Sequence, residues 1–455
     1  MSIAKFWSHT VLFFTASRFA DIVNAVNGLW IIPHFLPAAL LGAVLPMLSF
    51  GGALAVPFSV LLAVFTRTLA RYEALGQTAK AQSLTRDAFR FSGIAFLLIF
   101  LVSIPLMPWL FRILRVEPSA VGFVAIGYGL IAAFIPVTTA ALQATKHFGA
   151  LSLANLLAAP ARILSMLLLL PSLGLLGYFF GQLVPLFVML AVALFTLYRQ
   201  RLLVLPVATV SRRLWLEDRR EMIGYGLKVL AGTAFGVMGG TIVSFVIRHQ
   251  LTDDASAAFY LLSRFSEIAA YCSTTVSTVF FPYAVEAHTH GQNLRTLTGK
   301  LMLLLFLGGG GIALALYFVL PFLFAALPDY APYVSTARWA AYLCGTTTLQ
   351  MVSGLYFSHA HARNDFHYLW YYLPMTVLSA LAILTLTDHS LLRVLHILFA
   401  AALLQLLCVL VDLFFRKPFI NEAKAEAPFP KPFPTVSPKD VPAAASPDRT
   451  SSIAT

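Results

Sequence analysis

Charge is what this sequence has little of. Asp, Glu, Lys and Arg make up 11% of its 455 residues, against 59% apolar residues and a mean hydropathy of +0.82. Soluble domains carry roughly a quarter charged residues, so an ordinary aqueous fold is excluded. Disorder needs low hydrophobicity and is excluded everywhere but in the tail. Cysteine is scarce too. Cys272, Cys344 and Cys408 each sit in an apolar run with no CxxC neighbour, which excludes a disulfide framework or a thiolate zinc site. No Gly-rich loop leads into Lys-Ser/Thr, so ATP is not the direct energy source. No paired carboxylates or Ser/His/Asp set stands out, so no enzyme, catalytic residue or cofactor is expected. Period-two alternation of the outer-membrane barrel type is absent. The first apolar run contains Arg18 and Asp21, with no small-residue cleavage site after it, so it is not expected to be a cleaved leader.

What is there is long apolar runs. Twelve candidate membrane spans lie near 10–31, 38–66, 91–111, 119–143, 150–170, 174–197, 223–247, 257–285, 300–326, 333–358, 366–387 and 391–415. About 20 apolar residues cross a bilayer, and spans of this length must be helical to satisfy their own backbone groups. An all-α polytopic membrane protein is expected, with residues 1–198 and 223–415 as two like-oriented six-helix lobes around a central cavity. Residues 199–222 would form a basic linker, and the Pro-rich segment 416–455 a disordered tail.

The excess of 31 Lys+Arg over 19 Asp+Glu would suggest nucleic acid in a soluble protein. Its distribution says otherwise. With the N-terminus inside, the outer loops hold only Arg112, Arg115, Arg248 and Arg393, while Arg67, Arg71, Lys80, Arg212, Arg213 and most others fall inside. This asymmetry predicts both termini in the cytoplasm of a multi-pass inner-membrane protein, with no nucleic-acid partner.

Landmarks also recur at an offset of about 215 residues. Gly76-Gln77 meets Gly291-Gln292, Pro105 meets Pro321, and Phe148 meets Phe366. Two halves of the same orientation imply a pseudo-twofold axis along the membrane normal, with a site between them.

Five basic and two acidic side chains fall inside spans: Arg18, Arg162, Lys228, Arg264, Arg338, Asp21 and Glu267. Each costs at least about 2.5–3.5 kcal/mol at a helix centre unless it faces protein or water. Arg18 and Arg264 lie about 10–12 Å inside their spans, whereas Lys228 and Arg338 lie about 8 Å in and can reach the headgroups. In the eighth span Arg264, Glu267, Tyr271, Thr274, Thr275 and Thr278 share one stripe, opposite Leu262, Ile268, Ala269, Val276 and Val279. The first span aligns Arg18, Asp21, Asn24 and Asn27 in the same manner. Arg18–Asp21 and Arg264–Glu267, each at i,i+3, could simply neutralise one another. A surplus of three positive charges still remains, which favours an anionic substrate. His288, His290, His359, His361 and His367 gather near one mouth, but without nearby acids or thiols they are read as loop histidines, and no metal site is assigned. Gly308 to Gly311 suit tight helix packing.

Three stretches, LQATKHFGALSLANLLAAPARI, LLSRFSEIAAYCSTTVSTVFFPYAVEA and PDYAPYVSTARWAAYLCGTTT, together with the span pattern, resemble the multidrug/oligosaccharidyl-lipid/polysaccharide (MOP) exporter superfamily. The likeness is greatest to its polysaccharide transporters of the O-antigen flippase type. It implies translocation of an undecaprenyl-pyrophosphate-linked oligosaccharide for cell-surface polysaccharide assembly, with membrane lipids and polysaccharide-assembly proteins as partners. It also implies a cavity contacting substrate through Arg18, Asn24, Arg162, Lys228, Arg264, Tyr271, Thr274, Thr275 and Arg338, with the lipid diphosphate on Arg18 and Arg264. From their depth in the membrane, Asp21 and Glu267 are the ion-coupling candidates. The alternatives are a cation-coupled multidrug exporter of the same superfamily, or a membrane-embedded polymerase or glycosyltransferase. The last usually needs a large extramembrane domain, and no outer loop here exceeds about ten residues.

Overall fold

A computed structural model describes residues 3–74, 76–115, 120–132, 134–202, 212–289, 294–386 and 390–415. Within them the chain is helical throughout. The first rod is α1 (Ile3–Val26), continued by a π turn (Asn27–Ile31) and the short α2 (Ile32–Phe35). It is followed by α3 (Ala38–Leu54), α4 (Val56–Ala74) and α5 (Thr78–Ser103), the last running through a 3-10 turn into α6 (Met107–Leu114). Next come α7 (Ala120–Ala132), α8 (Phe134–Ala144) and α9 (Phe148–Arg199). The second half holds α10 (Arg212–Gln250), α11 (Asp253–Thr289), α12 (Arg295–Ala326), a 3-10 stretch (Pro328–Thr336), α13 (Trp339–Ala362), α14 (Leu369–Leu386) and α15 (Leu391–Phe415). The tail after residue 415 and residues 203–211 of the linker lie outside the described residues.

Among the described residues, helices run through each of the twelve apolar stretches. The split expected near Pro171 is a helical hairpin inside α9. Gly174 turns the chain at φ 53°, ψ −130°, a conformation open to glycine. On the two arms, Ser165 Oγ donates to the Gly181 carbonyl at 2.8 Å, and a Cβ on Gly177 would come within 2.0 Å of the Leu169 carbonyl oxygen. The second span is bent by 52° between α3 and α4. Pro57 has no N–H to continue the ladder, so Ala55 N closes the preceding turn on Gly51 and Gly52 and the axis breaks there.

By length and apolarity six helices qualify as membrane-crossing, or seven with the bent pair. In the six, only 17–41% of each apolar window is buried, so most of that surface is left facing outward, as lipid contact requires. Helices α1, α11 and α13 fall outside the six. The first two carry the charged stripes: α11 packs on α1, α3, α12 and α13, while α1 packs on α9 and α11 and leaves Val11, Phe19 and Ile22 exposed on its other side.

The internal repeat is visible in the backbone. His147 N bonds to Leu142 O at 2.8 Å and Asp365 N to Ala360 O at 2.9 Å, while Lys146 and Asn364 take left-handed φ of 58° and 57°. These are matching Schellman-type ends on α8 and α13. Gln77 N to Tyr72 O, with Gly76 at φ 67°, repeats the device after α4. Its expected counterpart at Gly291-Gln292 lies outside the described residues.

The two ends of the bundle are built differently. At the end carrying Arg115 and Asp253, one apolar core runs through both halves, from Leu41, Leu114 and Phe179 to Ile247, Tyr260 and Phe324. At the opposite end, carrying Lys146, the core around Phe65, Leu142 and Leu197 is separate from that around Leu301, Leu355 and Leu406. There the halves meet through ion pairs, Lys146–Glu286 at 3.0 Å and Glu221 with Arg71 and Arg67 at 3.1 and 3.4 Å, and through Val279 and Tyr283 of α11, which are buried in the core around Phe65. A small cluster of Val60, Val64, Tyr225 and Val229 also joins them.

Candidate functional site

The charged stripes of α1 and α11 face one another, and α9 closes the third side. The Arg18 guanidinium pairs with Asp21 at 2.8 Å, lies 4.8 Å over the Phe14 ring, and donates across to the Tyr271 carbonyl. Arg264 pairs with Glu267 at 2.9 Å, one turn along α11. The Tyr271 hydroxyl hydrogen-bonds to Glu267 from the next turn. Arg162, on the first arm of α9, donates to Asn24 Oδ1 and makes no ion pair among the described residues. Six residues named from sequence, together with Glu267, therefore meet across three helices. The two i,i+3 pairs form as spacing allows, and Arg162 is left with a neutral partner. Three guanidiniums against two carboxylates leave the cluster one positive charge in surplus.

The π turn positions this cluster. Inserting one residue into a helical turn widens it locally, and here it brings Gly28 against Arg264. A Cβ at Gly28 would lie 3.2 Å from Arg264 Cδ. The Arg264 guanidinium in turn lies 5.2 Å from the Tyr260 ring centre. Tyr128 on α7 and Tyr178 on the second arm of α9 also sit in the field of Arg264.

Other residues named from sequence lie elsewhere. Lys228 is exposed and stacks 5.5 Å over Phe366. Arg338 is exposed at the start of α13, 5.5 Å over Tyr317. These are the two cations whose shallow depth allows them to snorkel, and neither approaches the cluster. The side chains of Thr274, Thr275 and Thr278 lie outside the described residues.

Three features escaped the sequence reading. Tyr260 stands four residues before Arg264 and extends the stripe by one turn; the spacing 260, 264, 267, 271 was the available signal. Arg248, expected in a loop, ends α10 with its side chain only 2% exposed. It binds Asp253 at 2.7 Å and the Leu114 carbonyl at 2.9 Å, joining the halves. Asp412, near the end of α15, has 8% side-chain exposure and accepts from the Tyr356 hydroxyl at 2.7 Å.

The chain is thus a two-lobed helical bundle with a charge cluster at the junction of its halves. No family model and no curated protein matches the sequence. Solved structures do. A Vibrio cholerae MATE transporter bearing a single substitution aligns with a TM-score of 0.67 at 15% identity, over 90% of this chain and 95% of its own. A MATE structure in the straight conformation gives 0.65 at 17% identity, over 90% and 95%. An inward-facing multidrug resistance MATE family transporter of the MOP superfamily gives 0.64 at 16% identity, over 89% and 98%. The chain has the fold of these proteins along nearly its whole membrane region.

Proposed function

We propose that this protein is an exporter of the MOP-type fold that works by alternating access, with the Arg18–Arg162–Arg264 cluster as its cargo site. The observation that carries the proposal is the placement of three arginines and two carboxylates at the junction of the halves. Rocking of the halves would present that point to either side in turn. Such groups are costly in a membrane interior and mark substrate or ion pathways.

Two cargo readings follow, each with its own support. The surplus positive charge and the likeness of the sequence to polysaccharide transporters favour an anionic lipid, an undecaprenyl-pyrophosphate-linked oligosaccharide. Arg162, held only by Asn24, and Arg264 would engage the diphosphate, since guanidinium binds phosphate oxygens through paired hydrogen bonds. The solved neighbours are MATE transporters, two of them multidrug resistance proteins. Those comparisons support a cation-coupled multidrug exporter better than a lipid flippase. In that reading Asp21 and Glu267 carry the coupling ion, although each is already paired with an arginine.

One set of variants tests the site under both readings, in a flippase-deficient strain and in an exporter-deficient strain challenged with drugs. Arg264→Ala should abolish activity, and Arg264→Lys should be severely impaired if bidentate phosphate geometry matters. The double variant Arg264→Ala/Glu267→Ala removes the uncompensated buried charge. If it reaches the membrane normally yet leaves lipid-linked oligosaccharide on the cytoplasmic leaflet, the flippase reading stands. Recovery of transport in the double variant would remove Arg264 from the cargo site. Drug resistance conferred by the wild type, with no effect on the lipid, would decide for the exporter.

A further inference from the structure

Beside the charge cluster lie two polar groups with nothing to bind. Asn27 is 2% exposed and Tyr260 1%, and neither the Asn27 Oδ1 atom nor the Tyr260 hydroxyl has a hydrogen-bond partner among the described residues. Buried polar groups are almost always satisfied, so each unpaired one calls for an explanation. Both lie around Arg264. Asn27 opens the π turn that brings Gly28 against the Arg264 stem, and the Tyr260 ring lies beneath its guanidinium. The π turn packs against both α9 and α11. Tyr178, itself 2% exposed and hydrogen-bonded to Gln182, flanks Tyr260 from α9.

We propose that Asn27 and Tyr260 form a hydroxyl-recognition subsite next to Arg264, which takes an uncharged, sugar-like part of the cargo. This rests on the anionic-lipid reading above and adds to it a second point of recognition. The chemistry of the two groups selects the ligand. Asn27 Oδ1 accepts only, whereas the Tyr260 hydroxyl both donates and accepts. A sugar hydroxyl can donate to the first and accept from the second. A cationic drug would seek the face of the tyrosine ring, but Arg264 already occupies the region over that ring at 5.2 Å. A further phosphate would find an unpaired carbonyl oxygen at Asn27, which repels it.

The subsite also gives closure a dependence on cargo. With the halves shut and no ligand present, both groups are desolvated without partners, and the empty shut state is penalised. A hydroxyl-bearing cargo removes that penalty, so the halves close more readily on a loaded site than on an empty one.

The test uses the purified full chain in a sugar-free detergent and two probes, farnesyl diphosphate and farnesyl-diphospho-N-acetylglucosamine. The wild type should bind the glycosylated probe about ten-fold more tightly, the scale of one or two well-made hydrogen bonds. Tyr260→Phe, which removes a single oxygen, and Asn27→Ala should each abolish the ten-fold preference and bring the two affinities together. If the preference survives in both variants, the hydroxyl and amide serve packing or buried water, and the subsite is overturned although the anionic-lipid reading stands. Equal affinity of the wild type for the two probes overturns the subsite in the same way. If the wild type binds neither probe, the anionic-lipid reading fails and the subsite falls with it.

Discussion

Removing Asp253 should damage the protein more than removing the arginine it pairs with. The side chain of Arg248 is 2% exposed and that of Asp253 45%. Deleting the acid leaves a buried guanidinium without its counter-charge, whereas deleting the base leaves a carboxylate that water can solvate. Breaking a fully buried pair costs about 3–5 kcal/mol. The half-exposed carboxylate reduces this for Asp253→Ala to about 2 kcal/mol, even though Arg115, at 4.0 Å from the same oxygen, is left to repel Arg248. Arg248→Met loses the hydrogen bond to the Leu114 carbonyl, about 1 kcal/mol, partly offset by the desolvation no longer required. With an unfolding entropy near 2 cal/mol/K per residue, a helical domain of this size shifts by about 1 °C per kcal/mol. Thermal unfolding in detergent should therefore show Asp253→Ala lower by about 2 °C and Arg248→Met by about 1 °C or less. The double variant should sit with Arg248→Met, because the stranded charge is gone. An Arg248→Met variant less stable than Asp253→Ala, or a double variant in which the two losses add, would refute the reasoning.

Four further outcomes are expected. Gly177→Ala should not accumulate as folded protein, because its Cβ would meet the Leu169 carbonyl at 2.0 Å, whereas Gly52→Ala, with nothing within 4 Å, should be neutral in expression and melting temperature. Reversing Lys146 to Glu should impair transport, and adding Glu286→Lys should restore it, since the 3.0 Å pair bridges the halves; failure of the double reversal would mean that the pair does not matter. Asp412→Asn should lose about 1–2 kcal/mol by weakening a charge-assisted bond from Tyr356, measured by melting temperature. Truncation after Arg416 should leave transport intact, because the Pro-rich tail offers no apolar period or site group; complete loss at normal abundance would give the tail a role.

Much of this architecture can be read from the chain because a bilayer enforces it. Apolar runs of fixed length must be helices, so the helical fold and the order of its rods follow from hydropathy. The i,i+3 pairs Arg18–Asp21 and Arg264–Glu267 are local, and spacing alone specifies them. What could not be read is whatever depends on a partner distant in sequence. Arg248 looks like a loop cation until Leu114, over a hundred residues earlier, is placed beside it. Asp412 looks interfacial until Tyr356 covers it. The π turn at Asn27–Ile31 has no composition of its own; it is a register change imposed by packing, and it decides which residue of α1 touches Arg264.

The unequal construction of the two ends has a thermal consequence. Separating the halves at the Arg115 end means wetting a shared apolar core, and exposed apolar surface raises heat capacity. Separating them at the Lys146 end exposes less apolar surface, that of Val279, Tyr283 and one small cluster, and hydrates ion pairs besides. The two half-cycles of transport should then respond to temperature differently. The step that opens the Arg115 end should give a curved Eyring plot and accelerate disproportionately in warm membranes as its activation enthalpy grows, while the step that closes it slows, and opening of the other end should be the more sensitive to salt. A single turnover thus contains one step governed by water around hydrocarbon and another governed by ions around charge.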